Sequence, residues 1–385
     1  MLNNELVKGL ASAFEWLDVK DDRPAQIRPD FGTGLVSSVF GARIECPSDN
    51  PPWVHPLSEG DVEWNIRSAI DGLDLADVPN RGLIPRVAET YSFYADILAT
   101  YPNVRSFLAV IMPDIQGPFD TAAMLWGSSI FEALYTNPEL VDRLCSAVAD
   151  VMIALHTYFR TFIGRELLPE GFSHTHGVII RGNYLMRGDS NLMLSNAMYR
   201  EQMLPHELKV LKVIGGGSYH SCGNWEHNIG TILALDEIGS LDFGSNQSQM
   251  NDIDGIYRQA AKAKKHLNLV TAYSHELASG SIIQRFPTGV TLSCQVENKE
   301  EAARVIQGAG RHGGLDAEPL QSLVNPVLLN HFPTSEKARR LRRVSWYLQP
   351  RGESIPNSIS DQAGKNYIRL CSSRLMPRLQ PQELA

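Results

Sequence analysis

The second half of the chain repeats one unit, a short apolar strand followed by a helical stretch, and that repetition most limits the fold. GGGSYHSC at 215–222 is a strand candidate, and NWEHNIGTILALDEI after it has helical spacing. SLDFGSN at 240–246 precedes the helical DIDGIYRQAAKAKKH, LNLVTAYS at 267–274 is the next strand, and GVTLSC at 289–294 precedes the helical NKEEAARVIQGAG. A parallel neighbour needs a crossover, and a helix is the usual one, so this alternation implies a parallel sheet. HGVIIRG at 176–182 is a further strand, followed by a loop and the helical stretch 195–214 with Ser195 as its N-cap. Upstream, 86–101 has helical spacing and RSFLAVIM at 105–112 reads as a buried strand. Residues 119–136 and 138–163 read as long helices divided at Asn137-Pro138. Six strands are clear, one more falls near 24–35, and an eighth is not evident from pattern. This many units in one chain favour an α/β fold of the (β/α)8 TIM-barrel type over an open doubly wound sheet.

The barrel is expected to occupy residues 1–313, with 314–385 as a C-terminal extension of another character. Within that extension KARRLRRVSWYLQPR at 337–351 is a basic, helix-like stretch, read first as a solvated face or packing arm. A net charge of −8 argues against a nucleic-acid partner. Five thinly spread cysteines do not resemble a secreted disulfide framework. No apolar run approaches the ~18 residues of a spanning helix, and MLNNELVKGL lacks the layout of a signal peptide. The expectation is therefore a cytoplasmic enzyme acting on a small molecule, with no membrane or nucleic-acid partner and a homodimer as an allowed assembly.

The chemistry-bearing candidates gather at expected strand ends. Residues i and i+2 of a strand share a face, so His220 and Cys222 can reach one ion together, and Cys294 ends another strand candidate about seventy residues later. One imidazole and two thiolates suit zinc and leave a fourth position open. Cys46, Cys145 and Cys371 lack such a context. PDIQGPFD leaves another strand end and brings Asp114, Gln116 and Asp120, for which a turn and a helix cap are the simpler reading. His174 and His176 sit at a strand entry and suit a hydrogen-bonding or pocket role. Arg181 and Arg187 could hold an acidic group of a substrate. Arg187 could equally pair with Asp189, which could also orient a metal-bound imidazole. No phosphate-cradling glycine loop and no GxSxG elbow is present.

GPFDTAAMLWG at 117–127, the Asp189-Ser190 pair with LSNAMYREQMLPH at 194–206, and HSCGN at 220–224 resemble the uroporphyrinogen decarboxylase superfamily, as do PDFGTG at 29–34 and VFGARIE at 39–45. The resemblance covers about residues 26–310 and implies a (β/α)8 barrel. Decarboxylases of that superfamily act on a porphyrinogen without a cofactor and carry an RQAGR segment, which is missing here. The other branch, cobamide-dependent thiol methyltransferases, carries a His-x-Cys followed some seventy residues on by a Cys, which falls on His220, Cys222 and Cys294. That branch implies Zn2+, a corrinoid methyl donor of the methylcobalamin type, a corrinoid protein as partner, and a small thiol or acidic substrate. Porphyrinogen decarboxylation and a non-catalytic zinc or corrinoid-protein binding module are the alternatives.

Overall fold

The computed structural model describes residue 10 and residues 24–45, 52–105, 108–163, 171–175, 177–244, 247–312 and 366–371. His176, Cys46 and the basic stretch 337–351 lie outside the described residues. In chain order the strands are β1 (Gln26–Ile27), β2 (Ile44–Glu45), β3 (Trp53–Val54), β4 (Ala109–Val110), β5 (Phe172–Thr175), β6 (Val178–Arg181) and β7 (Tyr184–Arg187). They continue with β8 (Gly217–His220), β9 (Ile238–Asp242), β10 (His266–Ala272), β11 (Val290–Val296) and β12 (Asn366–Cys371). β7 to β11 are successive parallel neighbours, and β12 adds antiparallel to the β11 edge. β1 and β4 form a separate parallel pair, while β2–β3 and β5–β6 are antiparallel hairpins. The α/β class with a parallel sheet and helical crossovers is as the alternation implied.

Among the described residues the strands do not close into one ladder. β4 nevertheless runs on into a segment that lies against β7. Tyr184 Oη donates to the Ile115 carbonyl at 2.9 Å and Arg187 Nε meets Asp114 Oδ1 at 2.9 Å. A Cβ on Gly117 would stand 1.9 Å from the Arg187 carbonyl oxygen, so only glycine allows this approach.

The helices Glu226–Leu233, Ile253–Lys262 and Lys299–His312 follow β8, β9 and β11 as expected. Asp252 caps the second by accepting from the Gly255 amide. Ser195 caps the turn leading to Leu204–Ile214, and Pro138 opens the 22-residue helix Pro138–Phe159. Three expectations are corrected. Of the 176–182 segment, Val178–Arg181 is the second strand of a hairpin, and the sheet strand is YLMR at 184–187. Gly182, at φ +97°, turns the chain between them, passing so close to Gly217 that a Cβ would be 2.4 Å from its amide. The 119–136 helix is broken at Gly127 (φ +86°) into Pro118–Trp126 and Ile130–Thr136. Among the described residues of the 105–112 run only 109–110 are strand, and a helical turn at Pro102–Arg105 comes before them.

Strand parity assigns the two faces of the sheet. Tyr219, Leu241, Leu292, Cys294 and Val296 belong to the main apolar core shared with the helices. The opposite face carries Ser218, Ser240 and Asn268, where Ser240 Oγ donates to Ser218 Oγ (2.8 Å) and Asn268 Nδ2 to Ser240 Oγ (3.1 Å). Among the described residues no helix is long and apolar enough to cross a membrane.

Because the Gly117 clash is with backbone, Gly117→Ala is expected to lower stability by about 2 kcal/mol or more. Urea unfolding should show a lower midpoint with an unchanged slope, and an unchanged midpoint would contradict this packing.

Candidate metal centre

At the carboxyl end of the sheet the parallel register sets Arg187 beside His220 and His220 beside Asp242. His220 is the last residue of β8 and is buried. Its Nδ1 lies 2.7 Å from Asp242 Oδ1, an oxygen that also accepts from the Gly244 amide at 3.0 Å. With Nδ1 held, Nε2 is aimed the other way, 3.3 Å from Cys222 Sγ and 3.6 Å from Asp189 Oδ1. Cys222 stands just past the strand end, and its backbone amide donates to Asp189 Oδ1 at 2.6 Å. One ligand atom from each of Asp189, His220 and Cys222 lies within 4.8 Å of the others. Nitrogen, sulfur and oxygen donors of these kinds are all zinc ligands. A carboxylate behind the imidazole is the arrangement that fixes the tautomer of a metal-bound histidine. The residues present thus fit a zinc ion. Burial opposes a charged imidazole, yet the bonds to Asp242 and Cys222 outweigh it and hold the His220 pKa up at about 10.

Cys294, expected as the third ligand, is not brought to this cluster. β11 runs two residues beyond it, and its parity is that of Leu292 and Val296, facing the helices. Its Sγ lies 3.7 Å from Ser274 Oγ, which in turn donates to Glu301. Burial pushes the thiol pKa up to about 12, so this sulfur is held as a neutral core group. Asp189, read as one group that could orient the imidazole, instead lies with His220 Nε2 and Cys222 in the cluster, and the carboxylate at Nδ1 is that of Asp242.

Arg187 is buried and its Nε is committed to Asp114 rather than to Asp189. Gln116 Nε2 donates to the same Asp114 oxygen at 3.2 Å, and Arg28 approaches the other at 3.8 Å. Against the cost of burial, Arg187 and then Arg28 hold the Asp114 pKa below the usual range. Arg28, Asp114 and Arg187 border a cavity that also meets His174, Ser173, Asn183 and Tyr184. Burial lowers the His174 pKa to about 4, so its imidazole is neutral. Arg181 is exposed and packs at Gly239, near the start of β9, at the opposite end of the sheet from His220.

The loop that carries Asp189 is tied down on both sides. The amides of Asp189 and Ser190 donate to Asp120 Oδ2 and Oδ1 at 2.9 and 2.6 Å. Burial, and then the charge of Asp189, push the Asp120 pKa up to about 6. On the other side Asn191 Nδ2 meets Glu207 Oε1 at 2.7 Å and Tyr219 Oη at 2.9 Å, and Tyr199 Oη reaches Glu207 Oε2 at 2.7 Å. Tyr199 opens a π-helical turn, Tyr199–Met203. Sequence reasoning missed Asp242 and Glu207. SLD ends β9 with a polar residue much as SYH ends β8, and that parallel was the available signal for Asp242. Glu207, inside LPHELKVL, carries no local mark of burial.

No protein-family model and no curated protein matches the sequence. Among solved structures, the chain is similar to a methyltransferase from Methanosarcina mazei, with a TM-score of 0.54 and 11% sequence identity over 80% of this chain and 90% of that one. At that identity the likeness is one of fold.

Burial raises Glu207 from its ordinary 4.5 to about 8. Its proton therefore stabilises the fold fully at acid pH, and the contribution fades as pH rises from the unfolded value through about 8, by on the order of a few kcal/mol. Glu207→Gln, which cannot ionise, should lose less stability than wild type as pH is raised over that range in urea unfolding. Equal losses in the two proteins would contradict a protonated Glu207.

Proposed function

We propose that this chain is a zinc-dependent methyltransferase of the uroporphyrinogen decarboxylase superfamily, moving a methyl group from a corrinoid or similar donor to a substrate thiol. The convergence of Asp189, His220 and Cys222 at the carboxyl end of a parallel sheet carries this reading. In (β/α)8 folds that end is where reactive groups are placed. The likeness of fold to a methyltransferase supports the same choice. We read the strand order as that of a (β/α)8 barrel, with the segment after β4 lying against β7 where a ladder would complete it.

His220 Nε2, Cys222 Sγ and the Asp189 carboxylate would hold the metal. What a zinc ion supplies at such donors is acidification of a coordinated thiol, which makes the thiolate available at neutral pH. The remaining work belongs to the chain. Asp242 keeps the proton on His220 Nδ1, so that Nε2 would give up its own proton and offer its lone pair to the metal. The Cys222 amide holds Asp189 Oδ1 beside the sulfur. Arg187, Asp114, Gln116 and Arg28 form a buried polar wall that would orient the substrate's non-reacting part. An acidic group of the substrate would meet that wall where Arg187 and Arg28 contribute positive charge. A corrinoid protein would be the partner if the donor is carried rather than free.

Metal analysis of the purified protein is expected to find about one equivalent of zinc. His220→Ala and Cys222→Ser should lose most of it, whereas Cys294→Ser should keep it. The wild type should methylate a small thiol from methylcobalamin, and the two depleted variants should not. Metal retained in Cys222→Ser would remove the site. Bound zinc without transfer to any thiol would leave a binding module instead.

A further inference from the structure

We infer that Asp120 is a positioning residue for the metal site: its carboxylate suspends the loop bearing Asp189 and thereby sets metal affinity. This rests on the metal-centre reading above. Asp120 lies in the first turn of the helix Pro118–Trp126, yet its carboxylate does not serve that helix. Both oxygens are taken by consecutive amides of the neighbouring loop, those of Asp189 and Ser190. Only 5% of the residue is exposed, so water does not compensate for what these bonds leave undone.

A purely structural staple at this place has no need of charge. A carboxylate buried beside another carboxylate destabilises the fold unless positive charge answers the pair. Asp120 is buried and Asp189, about a third exposed, stands beside it, with His220 Nε2 3.6 Å from Asp189 Oδ1. A cation held by Asp189 would add to that positive charge, so the negative charge of Asp120 would favour its binding. The geometry serves the same end. Holding amide 189 on one side fixes the backbone from which the Asp189 side chain reaches the Cys222 amide and His220. Gly188, just before it, leaves no slack, because a Cβ there would be 2.1 Å from Tyr219 Oη. The ligand is therefore set into place before any metal arrives.

The test compares wild type with Asp120→Asn, which keeps the shape and removes the charge and one acceptor. Zinc affinity is measured by competition with a chromophoric chelator, and the cobalt(II)-substituted proteins are compared by visible spectrum. The dissociation constant is expected to rise about ten-fold or more, as for loss of an outer-shell partner, with an altered cobalt spectrum. A role confined to structure would lower the melting temperature and leave both readings unchanged, and an affinity within two-fold of wild type would overturn the inference. Should Asp120→Asn not fold, hydrogen exchange on the metal-free wild type decides the matter. The amides of Asp189 and Ser190 should already be protected there, and exchange at unprotected rates would refute a preset loop. If wild type binds no zinc at all, the metal-centre reading fails. If wild type binds it and Asp120→Asn binds it equally well, only the role of Asp120 fails.

Discussion

The site depends on strand register more than on any single contact. β7, β8 and β9 are aligned so that Arg187, His220 and Asp242 stand in one row at the carboxyl end of the sheet. Side chains alternate along a strand, so a slip of one residue would send all three to the helix face. The same alternation places Tyr219 and Leu241 among the helices. The apolar burial that stabilises the sheet is thus also what holds the reactive row in position. His220 cannot be misplaced without exposing Tyr219, whose ring is stacked on Trp225.

This end of the sheet buries three carboxyl groups and half-buries a fourth, Asp114, and each is answered by a different kind of group. Asp114 has Arg187 and Arg28, Asp242 has His220, Asp120 has two amides, and Glu207 has two tyrosines and an asparagine. A buried charge without a partner costs several kcal/mol, so these arrangements persist only because each acid has its own means of compensation. Burial pushes the Glu207 pKa up to about 8 against the hydrogen bonds of its tyrosines, while Asp242 is tied to an imidazole that its bond keeps basic. Asp189 differs from the other acids. It is only partly buried, and its oxygen faces both a thiol-bearing residue and an imidazole nitrogen. An oxygen so placed serves a ligand better than it serves the fold.

Much of the fold was legible because its signals are local. β8 to β11 and the helices after β8, β9 and β11 follow from apolar runs alternating with helical spacing, and the cap at Ser195 and the start at Pro138 mark where elements begin. β7 was not legible. YLMR is short and buried on every residue, so it lacks the period of two, whereas VIIR just before it is the more strand-like segment. Telling the hairpin from the sheet requires knowing that the chain turns back at Gly182 against Gly217, a contact across 35 positions that no local pattern reports. His220 and Cys222 were legible as a pair because they are two residues apart. Asp189 and Asp242 join them only through strand pairing.

Cys294 shows where spacing stops being informative. GVTLSC looks like a strand that ends at its cysteine, which would free the thiol to turn toward the rim. The strand instead continues through Gln295 and Val296, and β12 pairs with it along this whole stretch, so parity governs Cys294 as it does Leu292. To reach His220 the side chain would have to cross the sheet, which requires a bulge or a one-residue slip against both β10 and β12. A third donor at this site is therefore more readily supplied by a loop than by a strand. A loop-borne carboxylate has a further consequence. His220 is fixed by the sheet, and Cys222 is held just past its end by the amide bond to Asp189. The placement of Asp189 depends on what grips its loop, so in the proposed metal site control over binding would pass to the buried groups on either side of it.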